Sequence, residues 1–250
     1  MEHITSRKNP LVQHLKKLGS DKAYREQCGL FLCDGIKLYE EAVGKGVDIP
    51  LLATSDPSKG EYQAEKAIYL PQDVLESISP QKSPQGLLFA CKMQKQNLKE
   101  GAKVVFVLEG IQDPGNLGTL IRTANAFSVD QIIVTGNTAD IYHPKTIRST
   151  MGAIFEQKIT SMSVDEIRNY VNRKGLVLLG AALNDKGQKA GGKLEAPIAI
   201  AIGSEGKGLS QALLDICHDT IQIPMEAQAE SLNAAVAGSI LMWEIYRGKG

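Results

Sequence analysis

Three separated segments in the second half of the chain combine amide, hydroxyl, charged and glycine residues that could bind a ligand and act on it. Each begins where an apolar strand pattern gives way to a loop or a helix. Because ligands of open α/β sheets bind at the carboxyl ends of the strands, the three segments predict one nucleotide pocket. They span residues 113–122, residues 202–209, and residues 223–225 together with 231–233.

The first segment reads Asp-Pro-Gly-Asn-Leu-Gly-Thr-Leu-Ile-Arg. It predicts a turn at Pro114 and Gly115 and a helix capped by Asn116. Arg122 follows Gly118 by four residues, so both project from one side of that helix. An arginine at this place can bind a phosphate or a carboxylate through two hydrogen bonds. The alternative is a capped helix with a solvated arginine.

The second segment places Gly203, Gly206 and Gly208 directly after a buried strand. Gly203 and Gly208 have the separation of a Walker phosphate loop, but Leu209 stands where that loop requires lysine. The segment also lacks the G-x-G-x-x-G pattern, so neither a nucleoside triphosphate nor a Rossmann-bound dinucleotide is expected. Backbone groups left accessible by the glycines can still bind an adenine edge. A tight connection without any ligand is the alternative.

The third segment joins the strand end at residues 223–225 to a helix that we expect to begin at Ser231, a good N-cap. Small residues follow at 234–238, and they allow close packing of that helix. A tightly packed core helix is the alternative interpretation. It does not explain why Ser231 and Asn233 flank the apolar Leu232 beside a strand-end loop.

The elements that would position these residues follow from the hydrophobic pattern of the 250-residue chain. Residues 1–95 alternate short strands and helices and predict a compact α/β sandwich. Residues 96–101 are polar and form the expected linker. Residues 102–250 predict a parallel sheet, because the apolar run 104–108 suits a strand covered on both faces. We expect helices at 116–127, 164–173, 209–214 and 231–246.

Taken together, the segments resemble the three motifs of the SpoU/TrmH branch of the SPOUT RNA 2′-O-ribose methyltransferases. Asn116 to Arg122 is similar to the first motif, Gly203 to Gly208 to the second, and the third segment to the third. Residues 31–42 resemble the ribosomal-protein-L30e-like domain that precedes the catalytic domain in many members. The chain differs from the usual patterns at Cys33-Asp34 and at Ala234-Ala235.

The resemblance implies an α/β fold: an N-terminal L30e-like α/β sandwich that binds RNA, and a C-terminal SPOUT α/β domain with a parallel sheet and a trefoil knot. It implies a homodimer that uses S-adenosylmethionine as cofactor and needs no metal. The implied cofactor-binding residues are Ile202, Gly203, Gly208, Ile223, Met225 and Leu232. The implied catalytic residues are Asn116, Arg122, Glu205, Ser231 and Asn233.

The implied reaction is attack of a ribose 2′-hydroxyl on a sulfonium methyl group. Because an arginine side chain stays protonated in proteins, Arg122 is a poor general base. We therefore expect Arg122 to clamp the target phosphate and to orient the hydroxyl, with that phosphate assisting loss of the proton. Glu205 is expected to fix Asn116 or the loop backbone, and a role as a plain surface carboxylate is the alternative.

Composition restricts the partners and the compartment. The chain is 43% hydrophobic, and its net charge of zero by itself argues against a nucleic-acid partner. Residues 1–25, however, hold six basic and two acidic residues, which could bind phosphates, and a solvated helix face is the alternative. We expect no membrane span, no signal peptide and, since the four cysteines form no C-x-x-C pair, no structural metal. These features predict a cytoplasmic protein.

The preferred function is methylation of a guanosine of 23S rRNA, because the two-domain layout resembles enzymes that act on large-subunit rRNA. A tRNA guanosine 2′-O-methyltransferase is the alternative within the same class. A catalytically silent RNA-binding factor for ribosome assembly is the alternative from another class. The intact set of Asn116, Arg122, Ser231 and Asn233 argues against the silent factor, because a pure binder does not need it.

Overall fold

The computed structural model describes residues 1–59, 62–94, 97–182, 188–189, 194–226 and 231–248. The chain divides into two compact units, Met1–Lys95 with Asp140–Phe155, and Gln96–Ala139 with Glu156–Gly250. The first boundary coincides with the predicted end of the N-terminal domain. The segment Asp140–Phe155, which the sequence analysis assigned to the second domain, belongs to the first unit.

The helices and strands of the described residues have the following bounds. The helices are α1 (Pro10–Ser20), α2 (Lys22–Cys28), α3 (Ile36–Gly44), α4 (Gln72–Glu76), α5 (Pro114–Ala126), α6 (Pro144–Thr150), α7 (Val164–Lys174), α8 (Gln211–Leu214) and α9 (Ala234–Arg247). The strands are β1 (Glu2–His3), β2 (Leu30–Asp34), β3 (Leu51–Thr54), β4 (Ala67–Tyr69), β5 (Leu87–Lys92), β6 (Val104–Glu109), β7 (Gln131–Thr135), β8 (Ile159–Ser161), β9 (Val177–Ala181), β10 (Gln188–Lys189), β11 (Ile198–Ile202) and β12 (Asp219–Gln222).

The first unit is built on a five-stranded sheet with the order β1-β4-β3-β5-β2. Strand β5 runs antiparallel to both of its neighbours, whereas β1, β4 and β3 are mutually parallel. Helix α1 begins at Pro10, where Asn9 accepts a hydrogen bond from the Leu11 amide. It buries Leu15 and Leu18 in the core of this unit, as the helical spacing of its leucines predicts.

Three contacts join the segment Asp140–Phe155 to the rest of the first unit. Arg25 is buried and forms an ion pair with Asp140 at 2.5 Å. The ring of Tyr142 stacks on that of Phe31 with 4.7 Å between the ring centres. Helix α6 packs against β2. These contacts explain why the segment groups with a sheet that lies far away in sequence.

The second unit is built on a seven-stranded sheet in which every pairing is parallel, with the order β10-β12-β9-β11-β6-β7-β8. The predicted parallel sheet is confirmed. Strand β11 lies between β9 and β6, so strands distant in sequence are neighbours. The first two predicted segments therefore leave adjacent strands at the same edge of the sheet.

Helix α9 packs directly on α5 through small residues. A Cβ atom on Gly238 would lie 2.4 Å from Cδ2 of Leu120, so only glycine permits this approach without a shift of Leu120. The hydroxyl of Ser239 contacts that of Thr123 at 3.2 Å. The small face that the sequence predicts after Asn233 therefore serves close packing of the two helices.

Two predicted helix caps were wrong. In addition, a residue of the predicted linker forms an ion pair with a residue of the second unit. Helix α5 begins at Pro114 and is capped by Asp113, not by Asn116. Helix α9 is capped by Asn233, not by Ser231. In the predicted linker, residue 96 lies outside the described residues, and Lys99 forms an ion pair with Asp130 at 2.6 Å.

Candidate functional site

The loop that follows β11 folds tightly back on itself. The Gly208 amide donates a hydrogen bond to the Ser204 carbonyl at 2.8 Å, and Gly208 has a left-handed φ of +66°. A Cβ atom on Gly203 would lie 2.1 Å from the Gly208 carbonyl carbon. Because that neighbour is backbone, no side chain fits at Gly203 unless the loop moves. Glycine is thus required at both ends of the turn.

This loop forms one wall of a cavity of about 530 Å³ at the carboxyl ends of β11 and β12. The volume is in the range of small-molecule and cofactor sites. Apolar side chains and loop backbone dominate the lining. All six residues predicted to bind the cofactor line this cavity: Ile202, Gly203, Gly208, Ile223, Met225 and Leu232.

Glu205 joins the three predicted segments at the mouth of this cavity. Its Oε1 accepts hydrogen bonds from Asn116 Nδ2 at 2.7 Å and from Asn233 Nδ2 at 2.5 Å. The Ala234 amide is a third donor at 3.3 Å. The expected contact between Glu205 and Asn116 is therefore confirmed, while the catalytic roles of these residues stay predictions.

The remaining two predicted catalytic residues occupy different places. Ser231 lines the cavity next to Leu232. Arg122 is exposed on α5 and is not part of the cavity lining. Its side chain makes no hydrogen bond or ion pair with any residue that the structure describes. Its guanidinium is thus available for a group that comes from solution, such as an RNA phosphate.

One pair of residues that holds the cavity loop is not predicted by the sequence pattern. Glu109, the last residue of β6, accepts two hydrogen bonds from Ser210 at the start of α8. The only sequence signal is a carboxylate at the end of an apolar run. Its partner could not be read from the sequence, because the contact depends on the crossover that makes β6 and β11 neighbours.

A cysteine lies near this loop but is not suited to act as a nucleophile. Burial, and next the negative charge of Glu109, raise the pKa of Cys217 to about 11. The thiol is therefore protonated at neutral pH, whereas the thiolate is the nucleophilic form. Its hydrogen bond to the Leu213 carbonyl at 3.2 Å fits a structural role.

Within the described residues, no group of three or more histidine, cysteine, aspartate or glutamate side chains could hold a metal ion. No helix found in those parts of the chain is long and apolar enough to cross a membrane. The site consists of an apolar cavity with accessible backbone groups, the Glu205 carboxylate with hydrogen bonds from Asn116 and Asn233, and the exposed guanidinium of Arg122. Such a set can bind a nucleoside and orient a second substrate beside it.

Comparison with known families identifies this arrangement. The SpoU rRNA Methylase family matches residues 103–243, which is more than half of the chain. The MRM3-like substrate binding domain matches residues 9–89. The protein therefore belongs to the SpoU rRNA methylase family and is a methyltransferase. The family and the enzyme class predicted from the three segments are confirmed.

Individual relatives cover almost the whole chain. The 23S rRNA (guanosine(2553)-2′-O)-methyltransferase RlmP of Bacillus subtilis (strain 168) is 31% identical over 248 residues, which are 98% of this chain and 99% of RlmP. A solved RNA 2′-O ribose methyltransferase is 27% identical with a TM-score of 0.83, and the match covers 99% of both chains.

Two further solved relatives contain AdoMet, which is S-adenosylmethionine. The AdoMet-bound rRNA methyltransferase from Sinorhizobium meliloti has a TM-score of 0.86 and 26% identity, over 98% of this chain and 97% of that one. The SpoU methyltransferase AviRb from Streptomyces viridochromogenes, in complex with AdoMet, has a TM-score of 0.84 and 25% identity, over 97% of this chain and 98% of that one. The predicted fold class is confirmed.

Proposed function

We propose that the protein transfers a methyl group from S-adenosylmethionine to the 2′-hydroxyl of a guanosine in 23S rRNA. The observation that carries the proposal is the hub at Glu205, where hydrogen bonds from Asn116 and Asn233 unite the three motif segments beside the cavity. The similarity to RlmP along both chains supports the choice of RNA. We also propose that the enzyme acts in the cytoplasm.

The cavity suits S-adenosylmethionine in size and in chemistry. Its volume of about 530 Å³ can hold a nucleoside with an amino-acid side arm. Ile202, Ile223 and Leu232 supply apolar walls for adenine, and the Cβ-free Gly203 leaves backbone groups within reach. When bound, the cofactor supplies an electrophilic methyl group on a sulfonium, with a neutral thioether as the leaving group.

The protein contributes alignment and a route for the proton. Arg122 holds a phosphate of the target nucleotide with its planar fork and so fixes the ribose hydroxyl opposite the methyl carbon. With the cofactor bound, the ribose oxygen would form its bond to that carbon as the carbon–sulfur bond breaks, and the neutral thioether would leave. The hydroxyl proton passes to the clamped phosphate and from there to solvent. Asn116, Ser231 and Asn233 hold the ribose and the methionine groups of the two substrates.

The apolar outer face of α5 and α9 supports a homodimer. The rings of Phe127, Trp243 and Tyr246 contact one another, and 47% of Trp243 and 42% of Tyr246 are exposed. An open depression of about 560 Å³ on this face is lined by Trp243 and also by Asn116 and Asn233. A second copy that covers this face would exclude water beside the Glu205 hub.

We assign different roles to the two units. The catalytic residues lie in the second unit, which contains residues 96–139 and 156–250, and we assign substrate RNA binding to residues 1–95. The excess of basic residues at the start of the chain supports that assignment. A trefoil knot in the catalytic unit is part of the same proposal, because it is the known arrangement of the SPOUT fold.

Methyl transfer to separate RNA pools tests the function. The purified protein would be incubated with labelled S-adenosylmethionine and with unmodified 23S rRNA, 16S rRNA or bulk tRNA, and the nucleosides resolved by mass spectrometry. The proposal expects 2′-O-methylguanosine in 23S rRNA alone. Transfer to tRNA alone would favour the tRNA enzyme. No transfer together with no cofactor binding would favour the silent RNA-binding factor and refute the proposal.

A further inference from the structure

The first unit contains a cleft that plays no part in the methyl-transfer site. Two cavities of about 270 and 390 Å³ share Asp34, Leu38, Gln81 and Arg148 as lining residues. They are formed by the end of β2, by α3, by the loop before β5 and by α6. We name this pair of cavities the Asp34 cleft.

The carboxyl group of Asp34 is only half satisfied. Its Oδ2 accepts a hydrogen bond from the Ser79 hydroxyl. Its Oδ1 is shielded from solvent and has no hydrogen-bond partner among the described residues. Burial raises the pKa of Asp34, while the Ser79 hydroxyl, the positive charge of Arg148 and the Gln81 side-chain amide oppose the rise. A shielded acceptor without a partner is uncommon in folded proteins and calls for an explanation.

Three cationic side chains line the two cavities, and the carboxylates of Glu40 and Glu41 line the larger one as well. Lys145 and Arg148 lie three residues apart on α6 and thus on one face of it, and both are exposed. Lys37 on α3 is also exposed and lines the larger cavity. The Arg148 guanidinium makes no hydrogen bond or ion pair with the residues that the structure describes. Its long side chain is therefore able to turn toward another anion without the loss of a fixed contact.

The larger cavity is also lined by an apolar residue, Met151, whose backbone is strained. Met151 ends α6 with a left-handed φ of 49°, a conformation that favours glycine, and 51% of it is exposed. Such strain persists where the surroundings impose it and is concentrated at functional sites. A flexible thioether side chain in this position offers a polarisable surface to a flat aromatic group.

A ligand of this cleft must satisfy opposite demands. A free phosphate would meet the Asp34 carboxylate, and a simple cation would meet Arg148 and Lys145. A nucleotide carries a hydrogen-bond donor on its base and a negative charge on its phosphate, so it meets both demands. Unstacked bases are what sequence-specific RNA-binding proteins read, through hydrogen bonds and stacking.

We propose that the Asp34 cleft binds an unstacked nucleotide of the substrate RNA whose base carries an exocyclic amino group. On binding, the Asp34 side chain turns so that Oδ1, which is shielded in the structure, accepts a hydrogen bond from the amino group. Arg148 turns to the adjoining phosphate, and Met151 covers one face of the base. Uracil is rejected, because it has a carbonyl where cytosine has an amino group. The inference rests on the proposed function only in taking RNA as the substrate.

Anisotropy titrations with fluorescent hexauridylates test this inference on the full chain. One central position would carry cytidine, adenosine or guanosine, with uridine as the counterpart of cytidine and inosine as the counterpart of both purines. At least one amino-bearing base should bind roughly tenfold more tightly than its counterpart, as expected for a hydrogen bond to a charged group. Equal affinity within all three comparisons would overturn the proposal.

Two variants with the same change of charge locate the effect. Asp34→Asn should reduce the affinity ratio between the amino-bearing base and its counterpart to about threefold or less, because a charged acceptor becomes neutral. Asp73→Asn, on the surface of the same unit, should leave the preference intact, since 68% of its side chain is exposed and its partner is Arg7. A preference that survives in Asp34→Asn would contradict the assignment.

A third variant covers the case in which Asp34→Asn fails to fold. Arg148→Met should weaken binding of every hexamer and lower the salt slope by about one, as expected for loss of one phosphate contact. Unchanged affinity and slope would also overturn the proposal. Methyl transfer to 23S rRNA, measured in parallel on the unaltered protein, reports on the proposed function alone, so the two can fail separately.

Discussion

Glu109 and Ser210 are joined by two hydrogen bonds although they are 101 residues apart. The Ser210 amide donates to Oε2 and the Ser210 hydroxyl donates to Oε1, both at 2.7 Å. Glu109 ends β6, and Ser210 follows the loop that begins at Gly203. Strand β6, which precedes the first motif segment, therefore holds the residue that follows the second motif segment. Glu109 acts as a positioning residue for the cavity wall.

Loss of this contact should weaken cofactor binding more than turnover. Glu109→Gln keeps the size of the side chain but replaces one carboxylate oxygen by an amide. We expect S-adenosylmethionine affinity to fall by roughly 5-fold, as for the loss of a charged hydrogen bond, with kcat within about twofold. Ser210→Ala should have a similar effect, and the double variant should add little. Calorimetry and initial rates measure both quantities.

An exposed glutamate of the same unit provides the control. Glu100→Gln makes the same chemical change away from the loop and should leave affinity and kcat unaltered. Additive effects of Glu109→Gln and Ser210→Ala would show that the two residues act independently and would contradict the positioning role.

Removal of one partner of the buried ion pair between Arg25 and Asp140 should strongly destabilise the first unit. Asp140→Asn leaves the guanidinium, with 3% side-chain exposure, without a counter-charge. We expect a loss of about 3 kcal/mol in the free energy of unfolding. Asp73→Asn, which breaks the exposed pair with Arg7, should cost less than about 1 kcal/mol. Urea unfolding followed by circular dichroism measures both, and equal losses would refute this difference.

The second unit should lose stability in acid partly through Asp130. Burial raises the pKa of Asp130, but the hydrogen bond from the Lys99 side chain and those from the Lys103 and Val104 amides outweigh it, and the pKa is lowered from 3.8. A lowered folded-state pKa means that the stabilisation is present above the unfolded pKa and is lost as the pH falls through the folded-state value.

The corresponding test compares acid unfolding with and without this group. Asp130→Asn should lower stability at pH 7 and should flatten the pH dependence below about pH 4, because the variant has no proton to take up. Thermal unfolding at a series of pH values measures the slope. An unchanged slope in the variant would mean that Asp130 does not contribute to it.

The exposed aromatic face should control the oligomeric state. Trp243→Glu places a charge at the centre of the apolar face of α5 and α9, so we expect a dimer to become a monomer in sedimentation velocity. Val177→Glu is the matched control, because Val177 is also 47% exposed and does not line the depression beside Trp243. Dissociation by both variants, or by neither, would count against this interface.

Local patterns predicted the site well because its residues follow buried strands directly. Ile202 and Gly203 come at the end of an apolar run, and such a run is a strong signal for a central parallel strand. The glycines predict a tight loop. The structure shows why Gly203 must be glycine, because a Cβ atom there would collide with the Gly208 backbone. The caps were placed wrongly although Pro114 at the first helical position indicated Asp113 as the cap.

Long-range contacts could not be predicted in the same way. Helix α6 has a short, mixed sequence, and its assignment to the first unit depends on the pairing of Arg25 with Asp140 across 115 residues. The contact between Glu109 and Ser210 depends on the order of strands in the sheet. Neither the hydrophobic period nor residue type reports which strands become neighbours, so these contacts became visible only in the structure.

The most direct test of the account is a calorimetric titration of S-adenosylmethionine into the unaltered protein, Gly203→Ala and Gly206→Ala. A Cβ atom on Gly203 meets backbone at 2.1 Å, whereas one on Gly206 meets nothing within 4 Å. We predict binding to the unaltered protein, affinity within about twofold in Gly206→Ala, and a loss of roughly tenfold or more in Gly203→Ala. Circular dichroism would verify that each variant is folded. No binding to the unaltered protein, or equal affinity in all three, would contradict the assignment of this cavity to the cofactor.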